Sequence, residues 1–170
     1  CFIPAGDYKS FLKKRLDTVP GDIVELDGTV VGRHEGIEYF TIGQRRGLGI
    51  AGGEPRFVIR LEPETRRVII GPEEALMEGE MRVSAVNYPL GVVPQGPAEI
   101  NVKIRYKSSE APAVLHPSAD GAIVRFTRPQ RSVTPGQAAV FYQGDVLLGG
   151  GTIEPGVITG VPEDQPAATA

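Results

Sequence analysis

The sequence is poor in sulfur and in reactive side chains. Its 170 residues include one cysteine, two histidines, two methionines and no tryptophan. A single cysteine, Cys1, excludes an internal disulfide framework and a zinc site built from several thiolates. Neither His34 nor His116 stands at metal-ligand spacing from a second ligand, so we predict no bound metal.

Long apolar runs are also absent. No stretch approaches the ~18 consecutive apolar residues that a membrane-spanning helix needs, and no basic start followed by an apolar stretch marks a signal peptide. We therefore expect a soluble, cytoplasmic protein without membrane contact. Because the first residue is cysteine rather than methionine, we also expect a chain that has been processed or that is part of something longer.

The composition is globular, but the charges are distributed unevenly. Hydrophobic residues make up 41% and charged residues 23%, which argues against a disordered or fibrous chain. Residues 99–135 carry six basic and three acidic side chains, whereas residues 61–98 carry three basic and six acidic ones. A local excess of positive charge in a chain of net charge -3 suggests a polyanion site. The alternative is chance clustering.

The first half of the chain predicts one short helix and two hairpins. Apolar residues at helical spacing over 7–16 indicate the helix, which Pro20-Gly21 ends. Asp27-Gly28 is a favoured hairpin dipeptide, and Pro63-Glu64-Thr65 marks a second turn. We predict strands at 22–31 (interrupted by the first turn), 37–41, 56–61 and 66–70, and a helical turn at 73–77.

From Met81 onward, short β-branched runs recur at regular spacing, which is typical of a small barrel. The predicted strands are 81–86, 98–106, 111–115, 122–126, 138–142 and 146–153, with His116 in a loop. The fold class is therefore mainly β: a small β-rich central domain followed by a six-stranded β-barrel, with one short N-terminal helix. We place the divisions at 1–16 (helix and the end of a preceding domain), 17–78 (central domain), 79–155 (barrel) and 156–170 (disordered tail).

The segment TIGQRRGLGI, residues 41–50, is the most unusual stretch of the sequence. Gln44, Arg45 and Arg46 stand in a glycine-rich loop whose backbone N–H groups can approach a ligand closely. Such a loop suits a phosphate or an RNA backbone. A solvent-exposed loop with incidental charge is the alternative.

This segment and the opening Cys1-Phe2-Ile3 resemble the tRNA-specific 2-thiouridylases, which place sulfur on the wobble uridine of certain tRNAs. Further matches occur in the same order along the chain, over residues 1 to about 154. They are Phe11-Leu12, Pro20-Gly21, Asp27-Gly28, Val31-Gly32, His34-x-Gly36, Arg105-Tyr106, Thr134-Pro135-Gly136-Gln137-Ala138-x-Val140-Phe141-Tyr142 and Gly149-Gly150-Gly151-x-Ile153.

The resemblance implies a mechanism of which this chain carries only a part. Family members begin with an ATP-pyrophosphatase domain, which has a Ser-Gly-Gly-Val-Asp-Ser loop and a first catalytic cysteine; neither occurs in this sequence. That domain adenylates the uridine with ATP and magnesium. A second cysteine, matched here by Cys1, carries the sulfur as a persulfide received from a sulfur-donor protein. We therefore expect no cofactor in this chain and no activity from it alone.

The resemblance also implies which barrel residues contact tRNA. They are Arg105 and Tyr106 near a strand end and Gln137 in the Pro-Gly-Gln turn, which would offer guanidinium donors, a stacking face and an amide, respectively. For Tyr106 the alternative is an aromatic that closes the barrel, and for Gln137 a plain turn residue. For Gln44, Arg45 and Arg46, contact with RNA and docking against the catalytic domain are both open.

Two other function classes fit some of these features. An N-terminal cysteine is also found in N-terminal nucleophile hydrolases, although their helices layered over two sheets disagree with the single helix predicted here. A non-enzymatic RNA-binding barrel is the other alternative.

Overall fold

The computed structural model describes residues 15–50, 53–106 and 108–156. Cys1 and most of the predicted N-terminal helix and C-terminal tail lie outside these residues. The described part is mainly β and consists of a small sheet and a closed barrel. It contains no α-helix, only 3-10 helices at Ile37–Tyr39 and Glu73–Leu76. This architecture does not fit the layered hydrolase.

The small sheet contains four strands in the order β2-β1-β4-β3. They are β1 (Gly21–Glu25), β2 (Val30–His34), β3 (Phe57–Glu62) and β4 (Arg67–Gly71). The two predicted hairpins both form, and β1 joins them by pairing in parallel with β4, Ile23 opposite Val68. At the first turn, Gly28 has φ +86°, a left-handed conformation that glycine adopts without steric cost.

Strand β3 is buried on both faces. Val58 contributes to the sheet's main core with Ile23, Val68 and Ile70. The neighbouring Phe57 and Ile59 form a second cluster with Leu76 of the Glu73–Leu76 helix. Because successive residues of a strand point to opposite faces, this helix covers the face of β3 that the main core leaves open.

The barrel closes in the order β10-β5-β8-β7-β6-β9, and β9 pairs with β10 to complete the circle. Its strands are β5 (Met77–Asn87), β6 (Ala98–Lys103), β7 (Ala111–Ser118), β8 (Gly121–Arg131), β9 (Ala138–Gln143) and β10 (Val146–Ile153). Alternate inward residues such as Val102, Leu115, Val124 and Phe141 are fully buried in one core. The predicted six-stranded barrel is confirmed, as is the mainly β fold class.

Three sequence predictions about individual elements are wrong. Residues 37–41 do not form a strand. Ile37–Tyr39 forms a 3-10 helix instead, and the Tyr39 side chain is buried. Strand β6 ends at Lys103 rather than at residue 106. His116 belongs to β7 and faces Ile123 of β8. In addition, β5 and β8 are 11 residues long, longer than the predicted runs.

Candidate nucleic-acid interface

Arg105 and Tyr106 emerge where the chain leaves the barrel after β6. Val102 and Ile104 are buried, whereas the two residues that follow Ile104 are exposed. Tyr106 is 91% exposed, so its ring lies outside the barrel core and both of its faces are open to stacking. The alternative of a core aromatic that closes the barrel does not fit this exposure.

The Arg105 guanidinium is held by one backbone contact. Its Nη2 donates to the carbonyl oxygen of Arg131 at 2.5 Å. The Arg105 carbonyl in turn accepts hydrogen bonds from the backbone N–H and the hydroxyl of Ser108, at 3.2 and 2.9 Å. A guanidinium has five N–H donors, and Arg105 forms no ion pair with any carboxylate of the described residues. Donors therefore remain for a phosphate.

Gln137 closes a tight turn ahead of β9. Its backbone N–H donates to the Thr134 carbonyl at 3.3 Å, with Pro135 and Gly136 between them and a φ of +81° at Gly136. This is the pattern of a type II turn. The Gln137 carbonyl accepts from Ile153 of β10 at 2.8 Å. The backbone of Gln137 is thus fixed by the turn and by β10, while its side chain is exposed.

One connection links Arg105 to Gln137. We call residues 131–137, which join the end of β8 to β9, the junction segment. Within this segment, the Arg131 carbonyl accepts a hydrogen bond from the Arg105 guanidinium. The Thr134 hydroxyl then donates to the Ser132 carbonyl at 3.0 Å, and Gln137 donates back to Thr134. The structure therefore brings Arg105 and Gln137 to the same segment of backbone.

The glycine-rich loop of residues 41–50 touches this segment from the small sheet. A Cβ at Gly43 would lie 2.8 Å from the Ser132 hydroxyl, and Gly43 has φ +85°. Its N–H donates to the Val58 carbonyl at 2.8 Å, and the Gln44 carbonyl accepts from the Val58 N–H at 2.9 Å. The loop is therefore anchored to β3 and packed against the barrel at Ser132.

Within the loop, the Gln44 side chain acts as a brace. Its Oε1 accepts from the Thr41 N–H at 3.1 Å, and its Nε2 donates to the Arg46 carbonyl at 2.9 Å. Arg45 and Arg46 are exposed and form no ion pair within the described ranges. Gln44 thus shapes the loop, while the two arginines project from it.

Replacing Gln44 by Ala should lower the free energy of unfolding by about 1 kcal/mol, because two side-chain hydrogen bonds within an exposed loop are lost. Urea unfolding measures this. Gln143→Ala is the control, since Gln143 is exposed and its side chain makes no hydrogen bond within the described residues. If Gln44→Ala left stability unchanged but weakened RNA binding, the Gln44 amide would be a ligand contact instead of a brace.

Arg45 also lines a pocket of about 480 Å³ with Glu25, Leu48 and Arg56. Arg56 Nε donates to Glu25 at 2.9 Å, and its Nη1 donates to Glu54 at 3.2 Å. These hydrogen bonds raise the pKa of the Arg56 guanidinium above its ordinary value. Two carboxylates therefore neutralise the positive charge of Arg56, whereas Arg45 has no carboxylate partner in the described part of the chain.

The described residues offer no metal centre. Within 15–50, 53–106 and 108–156, no three His, Cys, Asp or Glu side chains are placed to hold a metal ion. His34 is buried at the end of β2, with Nε2 3.0 Å from the Arg66 carbonyl and its ring edge-on to Phe40. Nor is any helix in these ranges long and apolar enough to cross a membrane.

Sequence reasoning did not single out Arg131 or Ser132. Arg131 Nε lies 3.0 Å from a Glu73 carboxylate oxygen, and its guanidinium carbon lies 5.3 Å from the centre of the Phe57 ring. Ser132 is 3% exposed. The excess of basic residues in 99–135 includes Arg131, but no local pattern distinguishes it from Arg125 or Arg128.

Comparison with known proteins agrees with the two-part architecture. Residues 9–72 match a family described as tRNA methyl transferase PRC-barrel domain, and residues 78–153 match one described as Aminomethyltransferase beta-barrel domain. The tRNA-specific 2-thiouridylase MnmA of Roseiflexus sp. is 48% identical over 156 residues, 90% of this chain and 42% of that protein. The enzyme of the same name from Rhodospirillum centenum is 50% identical over 164 residues, again 90% of this chain and 42% of that protein.

The chain belongs to the tRNA-specific 2-thiouridylase family. The predicted family is thereby confirmed. A third relative, from Moorella thermoacetica, is 45% identical over 157 residues, and the chain covers 44% of its length. The chain thus spans less than half of the curated 2-thiouridylases that it matches. The two family matches, residues 9–72 and 78–153, correspond to the small sheet and to the barrel of this chain.

Proposed function

We propose that this chain is the tRNA-binding and sulfur-carrying part of a tRNA 2-thiouridylase that acts in the cytoplasm on the wobble uridine, U34. The observation that supports it most directly is the exposed Arg105–Tyr106 pair, connected through the junction segment to the exposed side chain of Gln137. A guanidinium, an exposed aromatic face and an amide supply charge, stacking and hydrogen bonding, the three interactions with which proteins hold RNA.

In this proposal, the sulfur transfer involves a domain and a cysteine that lie outside this sequence. The uridine O2 attacks the α-phosphorus of ATP in a magnesium-dependent step and releases pyrophosphate. A sulfur-donor protein has meanwhile loaded Cys1 as the persulfide. Its terminal sulfur attacks C2, and the C2–O bond breaks with AMP as the leaving group.

The product is then released by thiol–disulfide exchange. The thiolate of the first catalytic cysteine, which lies in the ATP-pyrophosphatase domain, attacks the Cys1 sulfur, and the bond between Cys1 and the sulfur on C2 breaks. Its electron pair stays with the sulfur on C2, which becomes the thiocarbonyl, and the two cysteines are left as a disulfide. A thiol reductant must restore them. Since this sequence contains one cysteine, the proposal makes the chain inactive in sulfur transfer by itself.

The barrel's part in this function predicts three distinguishable binding defects. Arg105→Ala should weaken tRNA binding and reduce the slope of log K against log salt by about 0.7–0.9, because one phosphate contact is lost. Tyr106→Leu should lose about 1–3 kcal/mol of stacking without lowering the melting temperature. Gln137→Ala should weaken binding least and leave the slope unchanged, because its contacts are neutral.

Filter-binding titrations at several salt concentrations, with thermal melts of the same variants, measure these effects. Arg33→Ala is the charge-matched control: Arg33 is 77% exposed on β2, the sheet edge opposite β3. Parent-like tRNA binding by all three barrel variants would rule this surface out as the RNA site.

A further inference from the structure

Arg131, the last residue of β8, connects the small sheet to the proposed RNA surface. Its carbonyl accepts the hydrogen bond from the Arg105 guanidinium. Its own side chain turns to the small sheet, where it lies over the Phe57 ring of β3 and 3.0 Å from Glu73. The same residue therefore touches the barrel's candidate RNA contact through its backbone and the other unit through its guanidinium.

The backbone beside Arg131 is held by the residue that precedes β5 and by the glycine-rich loop. The Ser132 N–H donates to the Leu76 carbonyl at 2.8 Å, and Ser132 is 3% exposed. It has φ +55°, a left-handed conformation that non-glycine residues adopt only where the surroundings impose it. Gly43 of the glycine-rich loop packs against the Ser132 side chain. The space next to the Ser132 hydroxyl fits the hydrogen of a glycine but not a Cβ. Arg131 itself pairs with Met77 of β5 at the end of the β5–β8 ladder. The position of the Arg131 carbonyl is thus determined jointly by this ladder, by Leu76 and by the loop that contains Gly43.

A carbonyl fixed in this way matters for a long exposed side chain. Arginine loses considerable rotamer freedom when it is immobilised on a ligand. A guanidinium already hydrogen-bonded to a rigid acceptor has lost part of that freedom before RNA arrives, and its other donors point in a restricted direction.

We propose that Arg131 is a positioning residue for RNA binding, an inference that rests on the proposed function. Through the ion pair of Arg131 with Glu73 and its contact with Phe57, the Glu73–Leu76 helix and β3 hold Arg105 in its RNA-binding orientation. Arg131 acts here through Arg105 and does not itself contact the RNA. The contacts of the Arg131 side chain with β3 and the Glu73–Leu76 helix therefore control the affinity of the barrel for tRNA.

The test uses Glu73→Gln in the full-length protein, with tRNA binding as the readout. This exposed substitution removes the partner of Arg131 without emptying a core. Glu74→Gln is the matched control, because Glu74 is the exposed neighbour, undergoes the same change in charge and makes no contact with Arg131 among the described residues. Each variant loses one negative charge, and this change by itself predicts that both bind the anionic tRNA slightly more tightly than the parent.

We expect Glu73→Gln to bind about 3- to 10-fold more weakly than Glu74→Gln, with melting temperatures that agree. In an Arg105→Ala background the two variants should bind equally, because the side chain to be positioned is gone. Arg131→Met should likewise weaken tRNA binding when Arg105 is present and have no effect in the Arg105→Ala background. The double variant should have the same salt slope as Arg105→Ala alone.

Two results would overturn the inference. If Glu73→Gln and Glu74→Gln bind alike while Arg105 is present, the ion pair does not position Arg105. If Arg131→Met and Arg105→Ala each remove about 0.7–0.9 of salt slope additively, Arg131 contacts phosphate directly. Failure of the proposed function gives a different outcome, since Arg105→Ala would then have no effect on tRNA binding.

Discussion

Replacing Cys1 by Ser in the full-length protein should reduce sulfur incorporation into tRNA by a factor on the order of 10³ or more, since the proposed function makes Cys1 the sulfur carrier. Uridine adenylation should continue, because it involves ATP, magnesium and the uridine but no sulfur. Transfer of labelled sulfur to tRNA and tRNA-dependent release of pyrophosphate measure the two steps separately.

The binding of tRNA by the same variant is the control. A serine hydroxyl replaces one thiol without adding bulk, so affinity and melting temperature should match those of the parent. A variant that still thiolates would refute the persulfide role of Cys1. Loss of both steps together with loss of stability would instead make Cys1 a structural residue.

Gly121→Ala should destabilise the barrel by about 2–4 kcal/mol and lower its Tm by on the order of 10 °C. Gly121 opens β8 opposite Ser84 of β5. A Cβ there would lie 2.1 Å from the Val83 carbonyl oxygen, and the φ of +150° is one that L side chains rarely adopt. Neither strand can move away without breaking the pairing that closes the barrel.

Gly96→Ala is the matched control, since a Cβ at Gly96 meets nothing within 4 Å. It should melt with the parent. Differential scanning calorimetry resolves the two variants, and equal melting of Gly121→Ala and the parent would contradict the close β5–β8 approach at this position.

The prediction of residues 37–41 as a strand failed because periodicity cannot identify a short apolar run with certainty. Ile37 and Phe40 pack on the core of the small sheet and Tyr39 is buried, as the apolar pattern requires. A strand also needs a hydrogen-bonding neighbour, and no strand of the small sheet pairs with residues 37–41. The buried positions were thus predictable, whereas the backbone conformation was not.

His116 shows the converse error. A histidine before Pro117 favoured a loop, because proline cannot donate to a sheet ladder. In the barrel, β6 stops pairing at Leu115, so the last residues of β7 have a neighbour only in β8. Proline is tolerated on such a one-sided stretch, which is defined by where another strand ends.

Local sequence by itself determined most of the strands, both hairpin turns and the family. Alternating burial and turn dipeptides act over a few residues, and the motifs around Cys1, Gln44, Arg105 and Gln137 are contiguous in the chain. These features required no knowledge of which distant segments meet.

Only the tertiary structure decided how these pieces combine. The parallel pairing of β1 with β4, the contact of Gly43 with Ser132 and the placement of Arg131 between Phe57, Glu73 and Arg105 all join residues far apart in the sequence. Such contacts depend on the packing of β3 and the Glu73–Leu76 helix against the barrel. No periodic or motif signal encodes them, because each residue's partner is set by the fold and not by its neighbours in the chain.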